Sequence, residues 1–75
     1  SLGVPVRFSR LEGAEAVTVY TVSGEKIDEI YAEDFVTIQD EVQAELDVTH
    51  LASGLYIASV RFSNQIELVK FAVVR

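Results

Sequence analysis

The sequence predicts an all-β fold, namely a small antiparallel β-sandwich of seven strands. Apolar and polar residues alternate with a period of two through most of the chain, as in strands with one buried face. Turn residues interrupt the alternation at intervals of about eight to twelve residues, and no stretch has a helical period. These observations favour an immunoglobulin-like sandwich. A small barrel has the same local pattern and stays open as an alternative.

Seven strands are predicted, over residues 4–8, 16–22, 25–33, 35–39, 42–48, 55–62 and 66–74. The first belongs at an edge, because Pro5 has no N–H to donate to a ladder. Ser23-Gly24 is predicted to form a hairpin turn between the second strand and the third. Ile27 and Ile30 lie three residues apart, which predicts a bulge between them or a weak edge strand. The last two strands form a hairpin.

Strand 42–48 shows the clearest alternation, after an acidic turn at Asp40-Glu41. The apolar set, predicted to face the core, is Val42, Ala44, Leu46 and Val48; the polar set, predicted to face water, is Gln43, Glu45 and Asp47. Strand 55–62 carries Tyr56 and Phe62 on one face, which indicates buried core side chains first and a ligand-binding surface second. Exposure of Tyr20 or Tyr31 would reopen the question of carbohydrate binding.

Composition predicts one globular domain over residues 1–75. A chain of this size buries roughly 60% of its unfolded surface, and without cysteine only packing can hold it. The net charge of −6 divides unevenly: residues 1–47 hold three basic residues against eleven carboxylates, a net charge of −8, whereas residues 48–75 carry +2. The acidic part excludes a nucleic-acid partner, because phosphate binding needs clustered Lys and Arg. We interpret it as a solvated sheet surface.

The ends of the sequence suggest a fragment. It begins with Ser1, and no charged start precedes a continuous apolar stretch, so no signal peptide is predicted within it. No apolar run approaches the roughly 20 residues of a membrane-spanning helix. We therefore expect a soluble or surface-associated domain.

No catalytic constellation is visible, so we expect neither an enzyme nor a cofactor or metal. The only histidine, His50, follows Thr49 in a predicted turn, with no cysteine or second histidine to share a metal. Adjacent carboxylates such as Glu33-Asp34 point to opposite faces of a strand, or lie in solvated turns. The serines have no nucleophile-elbow pattern around them.

The chain resembles the C-terminal sorting domains of type IX secretion cargo, the type A sorting-domain family, over residues 15 to 75. Three blocks carry the resemblance: the Tyr-containing strand and small-residue turn of 17–27, the Leu-x-x-Gly-x-Tyr pattern within 46–57, and the Lys-containing final strand of 69–75. Two features depart from the pattern. Gly3-Val4-Pro5-Val6 replaces an Asn-Pro signature, and Arg75 replaces a terminal lysine with its charge kept.

The resemblance implies a secretion signal that carries a cargo protein through the outer membrane. It implies three partners, which are the outer-membrane translocon, a surface cysteine protease (sortase) that removes the domain, and N-terminal cargo domains in the same precursor. Transit through the periplasm to the surface or medium follows. The residues predicted for translocon recognition are Gly24, Gly54, Tyr56, Lys70 and Arg75, with the last strand offering an edge for strand addition.

Alternatives stay open at this point. The domain could be a retained accessory sandwich that binds polysaccharide or another surface protein, or a retained part of the secretion machinery. Lys70 could be an edge lysine that only discourages aggregation, and the last strand could pair two copies into a homodimer. A flat face of exposed aromatics would favour polysaccharide binding, whereas buried rings and a bare, charged final edge would favour sorting.

Overall fold

The computed structural model describes residues 6–74, which form two antiparallel sheets. The strands are β1 (Val6–Phe8), β2 (Ala14–Thr21), β3 (Lys26–Tyr31), β4 (Val36–Ile38), β5 (Glu41–Leu46), β6 (Gly54–Phe62) and β7 (Ile66–Val73). One sheet has the order β1-β5-β4 and the other β3-β2-β6-β7. The predicted all-β sandwich with seven strands is confirmed, as is the final hairpin, since β6 pairs with β7.

The core lies between the two sheets and is built mainly from central strands. Val17 and Val19 of β2 are fully buried opposite Val60 and Ala58 of β6, and Leu46 of β5 approaches them from the other sheet. The alternation of apolar residues explains these positions, because every second side chain of a strand points to the same face. Each large aliphatic side chain that is fully buried contributes roughly 1.5–3 kcal/mol.

A bulge explains the irregular spacing of Ile27 and Ile30, but it lies at Ile27 itself and not between the two isoleucines as predicted. Val19 pairs with Asp28 and the next residue, Tyr20, pairs with Lys26, so Ile27 is the extra residue of a bulge. The bulge lets both isoleucines pack against the core. β3 is also an edge strand, as the spacing predicted.

Several strand ends differ from the predictions. The strand predicted over residues 25–33 ends at Tyr31, because Ala32–Asp34 form a short 3-10 turn closed by a bond from the Phe35 N–H to the Ala32 carbonyl. The hairpin turn predicted at Asp40-Glu41 is formed by Gln39 and Asp40, while Glu41 begins β5. Val4 and Pro5, part of the predicted first strand, lie outside the described residues.

The prediction that Gln43 faces water is wrong. Its side chain is buried with 9% exposure, although it lies on the polar face of β5. In the β4–β5 ladder Gln43 is opposite Val36, and β1 lies along the other side of β5, so the position has a neighbouring strand on each side. The Gln43 Nε2 donates to the Glu41 carboxylate, whereas the Oε1 has no partner among the described residues. Glu45 and Asp47 are exposed, as predicted.

Candidate functional site: a free sheet edge

The two sheets end in four edge strands, and β7 differs from the other three. β1 and β4 are only three residues long. β3 carries charged residues at Lys26, Asp28 and Glu29, which discourage pairing with another chain. β7 is eight residues long, and no second strand within residues 6–74 pairs with its outer side. This strand is therefore the most open edge for strand addition.

The first half of β7 exposes apolar side chains on both faces of the sheet. Ile66 and Leu68 point to the outer face and are 62% and 69% exposed. Val69 points to the inner face and is 42% exposed, because the shorter opposite sheet does not cover it. An apolar strand normally needs cover on both faces. The exposed apolar edge of β7 thus has the properties of an interaction surface.

Only two charged residues lie on β7, and they point to opposite faces. Glu67 is paired with Val60, a core residue of β6, so its side chain is on the inner face. Lys70 is paired with Ile57 and lies on the outer face, where it is exposed. The expectation of a bare, charged final edge is therefore only partly met, because the edge is bare but mainly apolar.

A cavity of about 320 Å³ opens beside β7, on the inner side of the sheet. It lies between β7 and β1, which are the edge strands of opposite sheets. Its lining residues are Arg7, Phe8, Ser9, Arg10, Leu11, Val60, Phe62, Glu67 and Val69. Arg7 is neutralised by Glu45, at 2.7 Å between Nη2 and Oε2. The lining combines five apolar residues with three charged ones, which are Arg7, Arg10 and Glu67.

The structure brings most of the predicted recognition residues to one end of the four-stranded sheet. Gly54 pairs with Val73 near the end of β7, and Tyr56 pairs with Phe71. Gly24 lies in the turn between β2 and β3 at this same end, because Thr21, the last residue of β2, also pairs with Tyr56. Lys70 is one residue before Phe71 on β7. Arg75 lies outside the described residues.

Tyr56 and Gly24 have clear structural roles at this end of the sheet. The ring of Tyr56 is buried and stacks on Phe71, with a centroid distance of 5.7 Å. Its hydroxyl donates to the Ala52 carbonyl at 2.7 Å, which holds the chain leading into Gly54. Gly24 has a φ of 96°, a conformation that favours glycine. Both residues shape the site without offering a side chain to a partner.

A cluster centred on Glu29 lies on the outer face, at the opposite edge of the same sheet. Its carboxylate accepts hydrogen bonds from the Tyr31 hydroxyl at 2.6 Å, the Lys26 ammonium at 3.1 Å and the Thr18 hydroxyl at 3.1 Å. The bond from Tyr31 is the largest cause that lowers the pKa of Glu29 to about 2, followed by the bond from Lys26. This cluster orders the β3 edge.

Aromatic residues do not form a flat exposed face. Phe8 and Tyr56 are buried, and Tyr31 is the only tyrosine or phenylalanine among residues 6–74 that is exposed, with its hydroxyl bonded to Glu29. Tyr20 is half-buried. The exposure of Tyr31 reopens the question of carbohydrate binding at one ring, but a single ring does not make the flat aromatic face that would favour polysaccharide binding.

Metal sites and membrane-spanning helices are other features to consider in the part of the chain that the structure describes. No group of three or more His, Cys, Asp or Glu side chains there could hold a metal ion. His50 is exposed in a turn, as predicted. No helix of residues 6–74 has the length and apolar character needed to cross a membrane.

The apolar residues that make β7 distinctive were not predicted as part of the site. Ile66, Leu68 and Val69 were assigned to a strand but not to the site. The signal was present, because apolar residues occur at both even and odd positions of 66–73, as in strands buried on both faces. Only the strand order shows that this strand is an edge.

The comparison with protein families gives a match over nearly the whole chain. The family model described as the secretion system C-terminal sorting domain matches residues 4–75. Neither the comparison with curated proteins nor that with solved structures finds a significant match.

Proposed function

The chain belongs to the family of secretion-system C-terminal sorting domains, and from this premise we propose that the free edge of β7 is the element that the type IX translocon recognises. As a C-terminal sorting signal of type IX secretion, the domain is part of a cargo precursor bound for the outer membrane or cell surface. The observation that carries the proposal is the apolar edge of an eight-residue strand, with which no second strand pairs in residues 6–74.

Strand addition is the physical basis of the proposed recognition. An unpaired edge offers a row of N–H and C=O groups to an incoming extended segment, and side chains on alternate positions give specificity. Ile66 and Leu68 would be covered on the outer face, and Lys70 would supply a positive charge beside them. The ladder with β6, from the Gly54–Val73 pair to the Arg61–Ile66 pair, keeps this edge extended.

The remaining steps of the pathway extend this proposal. We propose that residues 1–75 act as one sorting domain that folds in the periplasm, passes the translocon with its cargo, and is removed at the surface by a sortase-type cysteine protease. The predicted recognition residues divide accordingly. Lys70 and Arg75 would contact the translocon, whereas Gly24, Gly54 and Tyr56 would hold the shape of the sheet end.

Export of a reporter tests this function. A fluorescent protein fused upstream of residues 1–75 is expressed in a host with an intact type IX system and in the same host with a disabled translocon. We expect reporter at the surface or in the medium only in the intact host. Reporter that stays in the periplasm of the intact host, attached to a folded domain, would contradict the proposal.

Lys70 has a direct test in the same assay. Lys70→Ala removes the exposed positive charge of β7 and changes no core residue. We expect weaker export. Lys26→Ala is the matched control, because it removes an exposed lysine from the other edge of the same sheet. Equal export of the two variants would indicate that Lys70 only protects the edge from aggregation.

A further inference from the structure

We propose that β7 accepts an extended segment of a different protein, in which an apolar side chain enters the cavity beside β1, a basic side chain lies opposite Glu67 and an acidic one opposite Lys70. This inference rests on the proposed function and specifies the chemistry of the partner. It follows from the positions of three features on one edge, namely the cavity, the two charges and the exposed apolar residues.

The cavity lies where the side chains of an added strand would point. Opposite residues in paired strands share a face, so the residue placed opposite Val69 points inward, as Val69 does. Val69 lines the cavity, together with Phe8 of β1 and Leu11 of the segment that follows β1. An incoming strand therefore places one side chain between the two sheets, where apolar surface of both becomes covered.

The size of the cavity selects a side chain rather than a large ligand. Pockets for small molecules span about 300–1,000 Å³, and this cavity of about 320 Å³ is at the lower limit. Its inner wall includes Val60, Phe62 and Val69, and so favours an aliphatic or aromatic group. Burial of such a group removes apolar surface of both proteins from water, which favours binding.

The two charges of β7 argue for a different protein rather than a second copy. In an antiparallel pair of β7 strands, opposite residues share a face. Glu67 could then be opposite only inner-face residues, which are Glu67 itself, Val69, Phe71 and Val73. Lys70 could be opposite only Ile66, Leu68, Lys70 or Ala72. No register of an antiparallel self-paired β7 gives either charge an opposite charge.

Val69→Trp tests whether an occupied cavity blocks export. The chain has no tryptophan, so the indole of Val69→Trp reports its own environment by fluorescence. We expect a blue-shifted emission, because the indole fills the cavity from β7. Val36→Trp is the matched control, since Val36 is also on an edge strand and is exposed to a similar extent, 47% against 42%.

Export of the full reporter fusion then distinguishes the outcomes. We expect Val69→Trp to lower export on the order of tenfold, equivalent to about 1.4 kcal/mol of lost binding. Val36→Trp should be exported like the parent fusion. Normal export of Val69→Trp with a blue-shifted emission would overturn the inference, as would an indole that stays in water. If Val69→Trp does not fold, Ser9→Trp fills the cavity from the opposite rim.

The charge pattern has its own test. Glu67→Lys should lower export on the order of tenfold, because the basic group of the partner would then face a lysine. Glu33→Lys makes the same change at an exposed residue outside the site and should leave export unchanged. Equal export of these two variants would overturn the proposed charge pattern. A dimer of the fusion protein that Val69→Trp dissociates would identify a second copy as the occupant and overturn the choice of a different protein.

The inference and the proposed function fail in different ways. If the parent fusion is not exported, the proposed function fails before any variant is compared. If the parent fusion is exported and Val69→Trp is exported equally well, only the role of the cavity fails.

Discussion

Glu29 shows how one carboxylate can hold a sheet edge in order. It receives hydrogen bonds from three side chains, and it pairs directly with Thr18 across the β2–β3 ladder. The pKa of Glu29 falls from its ordinary 4.5 to about 2, because the Tyr31 hydroxyl and then the Lys26 ammonium stabilise the charged form. The hydrogen bond to Glu29, and then the charge of Glu29, raise the pKa of Lys26.

This lowered pKa predicts a specific dependence of stability on pH. A carboxyl that is more acidic in the folded state stabilises the fold above pH 4.5, and the stabilisation is lost as the pH falls toward about 2. Glu29→Gln should flatten this part of the profile. Urea unfolding at a series of pH values measures it, and Glu33→Gln should follow the parent protein. A parallel profile for Glu29→Gln would contradict the account.

A variant of Tyr56 can distinguish a structural role of this residue from a role in recognition. Tyr56→Phe removes only the hydroxyl that donates to the Ala52 carbonyl, so we expect a loss of about 1 kcal/mol in the free energy of unfolding. Export should persist, because the buried ring presents nothing to a partner. Thermal unfolding and the reporter assay measure the two effects. Lost export with unchanged stability would assign the hydroxyl to recognition.

At the scale of elements, the turn between β4 and β5 carries avoidable strain. Gln39 and Asp40 have φ values of 52° and 66°, the left-handed values of a two-residue type I′ hairpin turn. Neither residue favours this conformation as Asn and Gly do. The pair Gln39→Asn and Asp40→Gly should therefore raise the free energy of unfolding by about 1 kcal/mol.

Thermal unfolding checks this expectation. The double variant should raise Tm by roughly 4–8 °C in a domain of this size. Asp34→Gly is a suitable control, because Asp34 has no positive φ and a glycine there only adds freedom to the unfolded chain. A lower Tm for the double variant would show that the turn depends on the side chains of Gln39 or Asp40.

Strands and their faces could be predicted because period-two alternation is a local property of the chain. The bulge at Ile27 was visible for the same reason, as a break in the alternation. The end of β3 was missed because residues 32–34 continue without a glycine or proline that would mark the turn. The burial of Gln43 was missed because it depends on β5 being central, which is a property of strand order.

At the scale of the whole molecule, the candidate site depends on which strand is left at the edge. Lys70 and Gly54 could be selected from the sequence, because they belong to a recognisable C-terminal pattern. The apolar edge and the cavity could not be predicted, since they exist only where β1 and β7 end opposite sheets on the same side. Neighbours in space, rather than in sequence, create this site.

The uneven charge of the chain fits this arrangement. Most carboxylates lie in residues 1–47, whereas β7 carries only Glu67 and Lys70. The acidic part keeps most of the domain solvated and discourages pairing through β3. The least protected edge is thus the one in the final strand.

The most direct test of the central claim places a charge in the middle of that edge. Leu68 is 69% exposed. The substitution Leu68→Lys should therefore leave the fold intact while it blocks apolar pairing on β7. Ile38→Lys is the control on the exposed edge strand β4. We predict that export of the reporter fusion falls on the order of tenfold for Leu68→Lys and is unchanged for Ile38→Lys. Equal export of the two folded variants would contradict recognition through β7.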